Sequence, residues 1–534
     1  MSGLIGYADL HCHPMAHLAF GGKRSSGSSF FWGSSTEPID QALACCSKLT
    51  HGLLSLPGIV DPHHGCGWDE FTDWPRHDTL VHQQMYMDAI RGAFECGLRL
   101  MVASAVNTEM FGDYYDTKHP ANTSDDAAIT AQIDAMNALA ERCSAWMKVC
   151  WGAAEARATI ASGKLAVVLG VEVDSILGGP ARWGSSVDPT RVDQIVNRWW
   201  AKGVRLMNPI HLVDNAIGGT AIKDDRFNIS NHYLLQKYPT ALPEPHFFEA
   251  EAASGDLADV RFLLGADPAN NLLINAYGKG YPLYIKKLGK TGHANARGLS
   301  AVGSTFLESM MKRGMLIDVE HMSSHALDAA LTLAEHRGYP LVSSHTGFRA
   351  IAARRTAGQA PLSVPGCATE AMRSEAQLRR LKDLGSIVGI FGHVGRLAGL
   401  DADTSANWAR AYHYLRNFGF DKIAIGTDMN GFAQAPGPRF KSGALGLTHI
   451  DPHDGVRALR YGQDVIPFIQ KTLVESALGK RKYDYNTAGL AHYGLLPDFT
   501  MDVALQLQAP DTLETFFHSA EALVSVWEKC ESLH

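Results

Sequence analysis

The chain has 534 residues, of which 46% are hydrophobic and 19% charged, and its formal net charge is −7 with its 24 histidines counted as neutral. An apolar fraction this high excludes an intrinsically disordered chain. The net charge is slightly negative, so the chain lacks the excess of basic residues that is typical of a nucleic-acid-binding protein. The length allows a large buried core, and a norm of about 150 residues per domain predicts three or four domains unless the fold is an α/β barrel.

The 9 cysteines are an odd number and form no CxxC pair, so the sequence predicts neither a disulfide framework nor a cysteine zinc site. No apolar run approaches the ~18 residues that cross a bilayer, and the amino terminus lacks the basic and apolar regions of a signal peptide. We therefore expect a cytoplasmic protein that does not bind membranes, although a signal peptide already removed would leave no trace in the sequence.

Eight short apolar runs occur along the chain, and in most of them the apolar residues are continuous rather than alternating with polar ones. Such runs are typical of strands buried on both faces of a parallel sheet. In chain order they are Ile5–Leu10, Leu98–Ala105, Leu165–Val171, Val204–Ile210, Met315–Val319, Leu341–Ser343, Ile387–Phe391 and Ile423–Gly426.

Segments with apolar residues at helical spacing separate several of these runs. They are Ala127–Ser162, Asp193–Ala201, Leu299–Arg313, His325–Arg337, Arg373–Leu384 and Trp408–Asn417. Alternation of strand and helix, repeated eight times, predicts an α/β protein with a (β/α)8 TIM barrel.

The barrel is predicted to span residues 1–428, which is longer than the ~250 residues of a plain barrel because of two insertions. The insertions, at about 14–76 and 215–297, are rich in polar residues and follow strands 1 and 4 of the eight. Residues 429–534 are expected to form a C-terminal extension packed on the barrel, with helices around Val456–Ser476 and Thr512–Trp527.

Polar residues follow the apolar runs where the carboxyl ends of the strands would converge on one face of the barrel. His11 and His13 are two residues apart on a strand and point to the same side, so they could bind one metal ion. His321 and His345 could bind a second ion, and the carboxylate of Glu172 could bridge the pair. Two such ions can activate a water molecule and polarise a carbonyl group. A single histidine at a strand end is more often a hydrogen-bonded core or surface residue, and Glu172 alone could cap a helix or pair with an arginine, so the prediction depends on their joint placement.

The sequence resembles the membrane (renal) dipeptidase family, peptidase family M19, within the amidohydrolase superfamily. The matching stretches run from about residue 8 to about residue 499, which is almost the whole chain. They are ADLHCHP, VLGVEVDSI, GVRLMNPIHLVDN, NARGLSAVGSTFLESMMKRGMLIDVEHMS, PLVSSHTGF, IAIGTDMNG and NTAGLAHYGLLPDF. The resemblance implies a binuclear metal centre, with zinc as the expected metal, that hydrolyses an amide bond.

Carried over residue by residue, the resemblance gives each strand-end residue a role. It implies that His11, His13, Glu172, His321, His345 and Asp428 form the metal centre. Asp428 would also transfer protons, and His211 would contact the substrate carbonyl or the oxyanion formed from it. Arg355, rather than its neighbour Arg354, is favoured as the contact for a substrate carboxylate. The implied substrate is a dipeptide or a similar small amide, and a homodimer is suggested by the resemblance alone.

The sequence departs from the dipeptidases in its first metal-binding motif, which is His11-Cys12-His13 where those enzymes have His-x-Asp. The two insertions also differ from the compact dipeptidases and would reshape the pocket that binds the substrate. Two alternatives stay open: a lactonase or another ester or N-acyl amide hydrolase with the same metal centre, and a metal-binding barrel without catalytic activity.

Overall fold

The barrel predicted from the sequence is confirmed by the computed structural model. The structure describes residues 3–21, 39–43, 67–72, 74–78, 82–115, 123–181, 184–221, 230–231, 233–234, 237, 295, 297–351, 370–392, 404–431, 433–440, 455–508 and 513–534. Most of both insertions, 14–76 and 215–297, therefore lies outside the described residues.

Nine parallel strands make up the main sheet, and eight of them form the barrel. The strands are β1 (Tyr7–Cys12), β2 (Leu98–Asn107), β3 (Met147–Val149), β4 (Leu165–Val173), β5 (Val204–Asn208), β6 (Leu316–Ile317), β7 (Val342–Thr346), β8 (Ile387–Phe391) and β9 (Ile423–Gly426). Neighbours follow the order β6-β5-β4-β2-β1-β9-β8-β7, and β3 pairs with the start of β4. A parallel bridge between Asp318 and Val342 joins the two ends of this order and closes the barrel.

The barrel strands are buried on both faces, which explains their continuous apolar sequences. All nine residues of β4 are buried, for example. Glycine is required where β8 and β9 approach the backbone of β7: a Cβ atom at Gly389 or Gly426 would lie 1.9 Å or 2.0 Å from the carbonyl oxygen of Ser344. These close approaches bring the ends of three strands together.

Helices surround the barrel and follow most of its strands. They are α1 (Ile39–Ala42), α2 (Met87–Glu95), α3 (Glu109–Tyr115), α4 (Asp125–Arg142), α5 (Ala153–Ala161), α6 (Pro189–Ala201), α7 (Ala301–Met311), α8 (Ser324–Arg337), α9 (Glu375–Asp383), α10 (Ser405–Phe418), α11 (Tyr485–Ala488), α12 (Leu496–Leu507), α13 (Glu514–Phe517) and α14 (Ser519–Glu531). Short 3-10 helices cover Ala16–Leu18, Arg349–Ile351 and Tyr493–Leu495. Serine side chains cap the starts of α4, α7, α8 and α9 by accepting a hydrogen bond from a backbone N–H three residues on.

The prediction of one helix over Ala127–Ser162 is wrong. The structure has α4, then strand β3, then α5 in this region. Met147 and Val149 are buried while Lys148 between them is exposed, which is the alternation of a strand. Apolar residues at short spacing suit either a helix or a strand, and pairing with β4 decides between them here.

The helix predicted around Val456–Ser476 is also wrong. This segment contains two short antiparallel strands, β10 (Val465–Ile466) and β11 (Lys471–Thr472). Gly462 has a left-handed φ of 76° and Pro467 has no backbone N–H, so both disfavour a continuous helix. A second hairpin follows, with strands β12 (Ser476–Leu478) and β13 (Arg481–Tyr483).

The C-terminal helices pack against the amino-terminal end of the barrel. The N–H of Gly6, just before β1, donates to the carbonyl oxygen of Phe517, and the Ala8 N–H donates to Ser519 Oγ. Helix α14 reaches the start of β7 as well, where Cys530 Sγ contacts the carbonyl oxygen of Pro340. The opposite end of the barrel, at the carboxyl ends of the strands, is where the candidate metal ligands lie. Within the described part of the chain, no helix has both the length and the apolar character to cross a membrane.

Candidate metal centre

Seven residues predicted from the sequence gather at the carboxyl ends of the barrel strands. They are His11 and His13 at the end of β1, Glu172 in β4, His211 after β5, His321 after β6, His345 in β7 and Asp428 after β9. The other two predicted residues, Arg354 and Arg355, lie outside the described residues. The structure thus places the candidate ligands together, and their roles as ligands stay predictions.

The first group joins His11, His13, Glu172 and Asp428. His11 Nε2 lies 3.1 Å from His13 Nε2 and 3.0 Å from Glu172 Oε2. His13 Nε2 lies 3.4 Å from Glu172 Oε2 and 3.0 Å from Asp428 Oδ1, and His11 Nε2 is 3.9 Å from the same Asp428 oxygen. These four side chains offer four ligand atoms around one point.

The second group uses the other oxygen of the same glutamate. Glu172 Oε1 lies 2.7 Å from His321 Nε2 and 3.9 Å from His345 Nε2, and the two histidine nitrogens are 3.0 Å apart. Glu172 is therefore the one residue shared by both groups. A carboxylate with one oxygen turned to each group is suited to bridging two cations.

These distances fit two metal ions of the size of zinc. A tetrahedral ion with bonds of about 2.0–2.1 Å to its ligands separates those ligands by about 3.3 Å. The eight distances within the two groups lie between 2.7 and 3.9 Å, on both sides of that value.

The chemistry of the facing atoms also favours a cation. His13 Nδ1 lies 2.8 Å from the carbonyl oxygen of Ser104, which can only accept, so Nδ1 carries the proton. In the neutral ring, Nε2 then has only a lone pair, and it faces the equally proton-free oxygen of Asp428 at 3.0 Å. Two acceptors at this distance need a proton or a metal ion between them.

Burial and the neighbouring charges perturb the pKa values of this cluster. Burial disfavours the charged form of His13, but hydrogen bonds to Asp428 and Glu172 outweigh it and raise the pKa of His13 to about 10. Burial also disfavours the charge of Glu172, yet the histidines around it, His11 foremost, hold the pKa of its carboxyl well below the usual range. The cluster therefore holds protons when no cation is bound, and metal binding would release them.

A buried aspartate organises the strand ends beneath the first group. Asp9 accepts hydrogen bonds from the N–H of His11 (3.1 Å), from the N–H and hydroxyl of Thr427 (3.0 and 2.7 Å) and from the hydroxyl of Tyr493 (2.9 Å). The Asp428 N–H in turn donates to the carbonyl oxygen of His11. These bonds fix β1 against β9 and so set the position of Asp428 relative to the histidines.

Two of the candidate residues have left-handed backbone conformations, which non-glycine residues rarely adopt. The φ angle is 63° at His321 and 50° at Asp428. Such conformations cost about 1–3 kcal/mol each and persist where surrounding contacts impose them, commonly at functional sites. Here they turn both side chains toward Glu172 and the facing histidines.

The sequence analysis missed two carboxylates that contact the candidate histidines. Asp174 Oδ1 lies 3.1 Å from His211 Nδ1, and His211 Nε2 is 3.6 Å from Glu172 Oε2. Asp318 Oδ2 lies 4.0 Å from His11 Nδ1, and burial raises the pKa of its carboxyl to about 7. Both could have been noticed in the sequence, because Asp174 is two residues from Glu172, and Asp318 is a carboxylate within the fifth apolar run, three residues before His321.

Comparison with known proteins confirms the resemblance over part of the chain. Residues 285–438 match the family model of membrane dipeptidase (peptidase family M19). The matched segment contains His321, His345 and Asp428 and excludes His11, Glu172 and His211. No curated protein matches the sequence.

Several solved structures are similar at low sequence identity. An amidohydrolase from Pseudomonas aeruginosa is 14% identical, and the alignment covers 83% of this chain and 93% of the amidohydrolase, with a TM-score of 0.44. The probable dipeptidase PvdM from Pseudomonas aeruginosa is 15% identical, and the alignment covers 94% of this chain and 96% of PvdM, with a TM-score of 0.42. A third similar structure is a metallo peptidase from Rhodobacter sphaeroides, liganded with a phosphinate mimic of the dipeptide L-Ala-D-Ala. It is 14% identical, and the alignment covers 67% of this chain and 80% of the peptidase, with a TM-score of 0.38.

Proposed function

We propose that this protein is a metal-dependent hydrolase of the dipeptidase type, which cleaves the amide bond of a dipeptide or a dipeptide-like small molecule. The observation that carries the proposal is the pair of ligand groups joined by Glu172 at the carboxyl end of the barrel. The match of residues 285–438 to the membrane dipeptidase family supports the same reaction class.

Two divalent ions, with zinc as the expected metal, would be bound by these groups. His11, His13, Glu172 and Asp428 would bind the first ion, and Glu172, His321 and His345 the second. When bound, such a pair supplies Lewis acidity that lowers the pKa of a water molecule and polarises the scissile carbonyl.

Asp428 is the member of the cluster best placed to exchange protons with a substrate. Its side chain is 16% exposed, whereas those of His11, His13 and Glu172 are at most 2% exposed. One face of its carboxylate is held against His13, and its backbone is fixed to β1 by the hydrogen bond to His11. Asp428 would take the proton from the attacking water and deliver it to the leaving nitrogen.

In its protonated form, His211 would donate a hydrogen bond from Nε2 to the oxygen of the carbonyl as negative charge develops on it. Asp174 accepts from the Nδ1 side of the ring, which fixes the orientation of His211 and leaves Nε2 directed at the cluster. Arg355 stays the predicted contact for a terminal carboxylate, where its guanidinium could form a bidentate pair.

The proposal is tested by metal analysis and a substrate panel on the purified full-length chain. We expect two divalent ions per chain by mass spectrometry, and hydrolysis of L,L- or L,D-dipeptides in preference to lactones and N-acyl amino acids. His345→Ala should lose metal and activity together, and Asp428→Asn should keep the metal and lose turnover. Full activity of a metal-free His345→Ala protein would refute the proposal. Turnover of lactones alone would support the lactonase alternative, and metal binding without any turnover would support the non-catalytic one.

A further inference from the structure

The barrel closes between β6 and β7 through very little backbone pairing. Strand β6 has two residues, and its backbone pairing with β7 consists of the Asp318–Val342 bridge and a hydrogen bond from the Val319 N–H to the Val342 carbonyl oxygen. The N–H of Ser344 in β7 also donates to the Asp318 side chain at 3.2 Å. By contrast, β2 and β4 pair over eight consecutive residues. The two histidines of the second group, His321 and His345, stand on opposite sides of this closure.

A buried group of side chains spans the closure where backbone pairing is scarce. Arg373 Nη2 lies 2.6 Å from Glu320 Oε1 and donates to the carbonyl oxygen of Val319 at 3.2 Å, on the β6 side. Arg373 Nε donates to Ser343 Oγ at 3.0 Å, on the β7 side, and the Ser343 hydroxyl donates to Glu320 at 2.5 Å. Arg373, Glu320 and Ser343 are all at most 2% exposed.

The backbone of Arg373 is itself attached next to His345. Its N–H donates to the carbonyl oxygen of Gly347, and its carbonyl oxygen accepts from the N–H of Arg349. Glu320 and Ser343 are close in sequence to His321 and His345, respectively. The ion pair therefore connects the segment that carries His321 to the segment that carries His345.

A buried ion pair is weak support for folding, because removing two charges from water costs several kcal/mol per ion. Its location suggests a different role. We propose that Arg373 and Glu320 are positioning residues that set the separation of His321 and His345, and thereby the affinity of the second metal ion. This proposal rests on the proposed function, because it requires an ion between those two histidines and Glu172.

The pair can be removed without touching any candidate ligand. Arg373→Met keeps an unbranched apolar stem and removes the guanidinium group with its hydrogen bonds, and Glu320→Gln removes the charge of the partner. Arg373→Lys keeps the charge but loses the guanidinium group that contacts Ser343 and Glu320 at the same time. It is therefore the variant to measure if Arg373→Met does not fold. The matched control is Arg439→Met, because Arg439 is equally buried and forms an ion pair with Asp502 in the C-terminal extension.

The measurement is the affinity of each of the two sites for Zn²⁺, obtained by titrating the metal-free full-length protein in competition with a chelator. In the Arg373 and Glu320 variants we expect the second ion to bind about tenfold to hundredfold more weakly, the range found when groups that orient metal ligands are removed. The first ion should bind as in the wild type, and Arg439→Met should bind both ions normally even if its melting temperature falls.

Three results would overturn the proposal. Unchanged affinities at both sites would show that the pair does not position the histidines. Equal weakening of both ions, matched by Arg439→Met, would show a general structural role. An increase in KM with unchanged metal affinity would make Arg373 a substrate contact instead. A wild-type protein that binds no divalent ion would refute the proposed function itself, whereas two ions in the wild type with no change in the variants would refute only this positioning role.

Discussion

His492 is a fully buried histidine that the fold keeps uncharged. Its Nδ1 atom accepts a hydrogen bond from the N–H of Gly494 at 3.1 Å, and its ring packs edge-on against Tyr483. Burial, and secondly the positive charge of Arg481, lower the pKa of His492 from the ordinary 6.5 to about 3. The next residue, Tyr493, donates to Asp9 beneath the candidate metal centre, so protonation here would disturb the support of β1.

The size of the effect follows from the two pKa values. Because the folded-state pKa is the lower one, the unfolded chain binds the proton more readily, and stability is lost as the pH falls below 6.5. Between about pH 7.5 and about pH 5, a shift from 6.5 to about 3 costs about 2 kcal/mol of the free energy of unfolding. The loss levels off only below the folded-state pKa of about 3.

The variant His492→Asn removes this titration while keeping an acceptor for the Gly494 N–H. We expect the metal-free variant to lose about 2 kcal/mol less stability than the metal-free wild type between about pH 7.5 and about pH 5, measured by urea unfolding. His413→Asn is the control, since His413 is exposed on α10 and is solvated in both states. An equal loss in His492→Asn and the wild type would show that His492 is not the group responsible.

Three further predictions concern the site. Glu172→Gln should reduce bound metal from two ions per chain to one or none by mass spectrometry, because its amide nitrogen has no lone pair for an ion. Asp174→Asn should lower kcat by roughly tenfold or more with little change in KM, since His211 loses the carboxylate that orients it; unchanged steady-state kinetics would contradict this role. Gly389→Ala should destabilise the fold by about 1–3 kcal/mol in urea unfolding, because its Cβ atom would meet the Ser344 oxygen.

The architecture of the barrel could be predicted from the sequence because buried parallel strands produce uninterrupted apolar runs. All eight runs correspond to barrel strands, and the polar residues that follow them stand out against the apolar background. The pair His11 and His13 was predictable from the period of two along a strand. Their Nε2 atoms are 3.1 Å apart in the structure.

Short apolar segments outside the barrel were less predictable, because their spacing suits more than one element. Strand β3 forms within the predicted helix Ala127–Ser162 since β4 offers it a pairing edge, which is a distant partner that local spacing does not reveal. The Arg373–Glu320 pair is a similar case. Nothing in the neighbourhood of either residue in the sequence indicates that they meet, and their contact depends on how β6 and β7 close the barrel.

The sequence by itself predicted which residues would gather at the candidate metal centre, because strand periodicity and apolar runs are local properties of the chain. Only the tertiary structure decided that His13 and Asp428, 415 positions apart, face each other at 3.0 Å, and that Glu172 turns one oxygen to each ligand group. Those distances depend on the order of the strands and on the closure of the sheet into a ring. Both are set by packing and hydrogen bonding between segments remote in sequence, which no local pattern encodes.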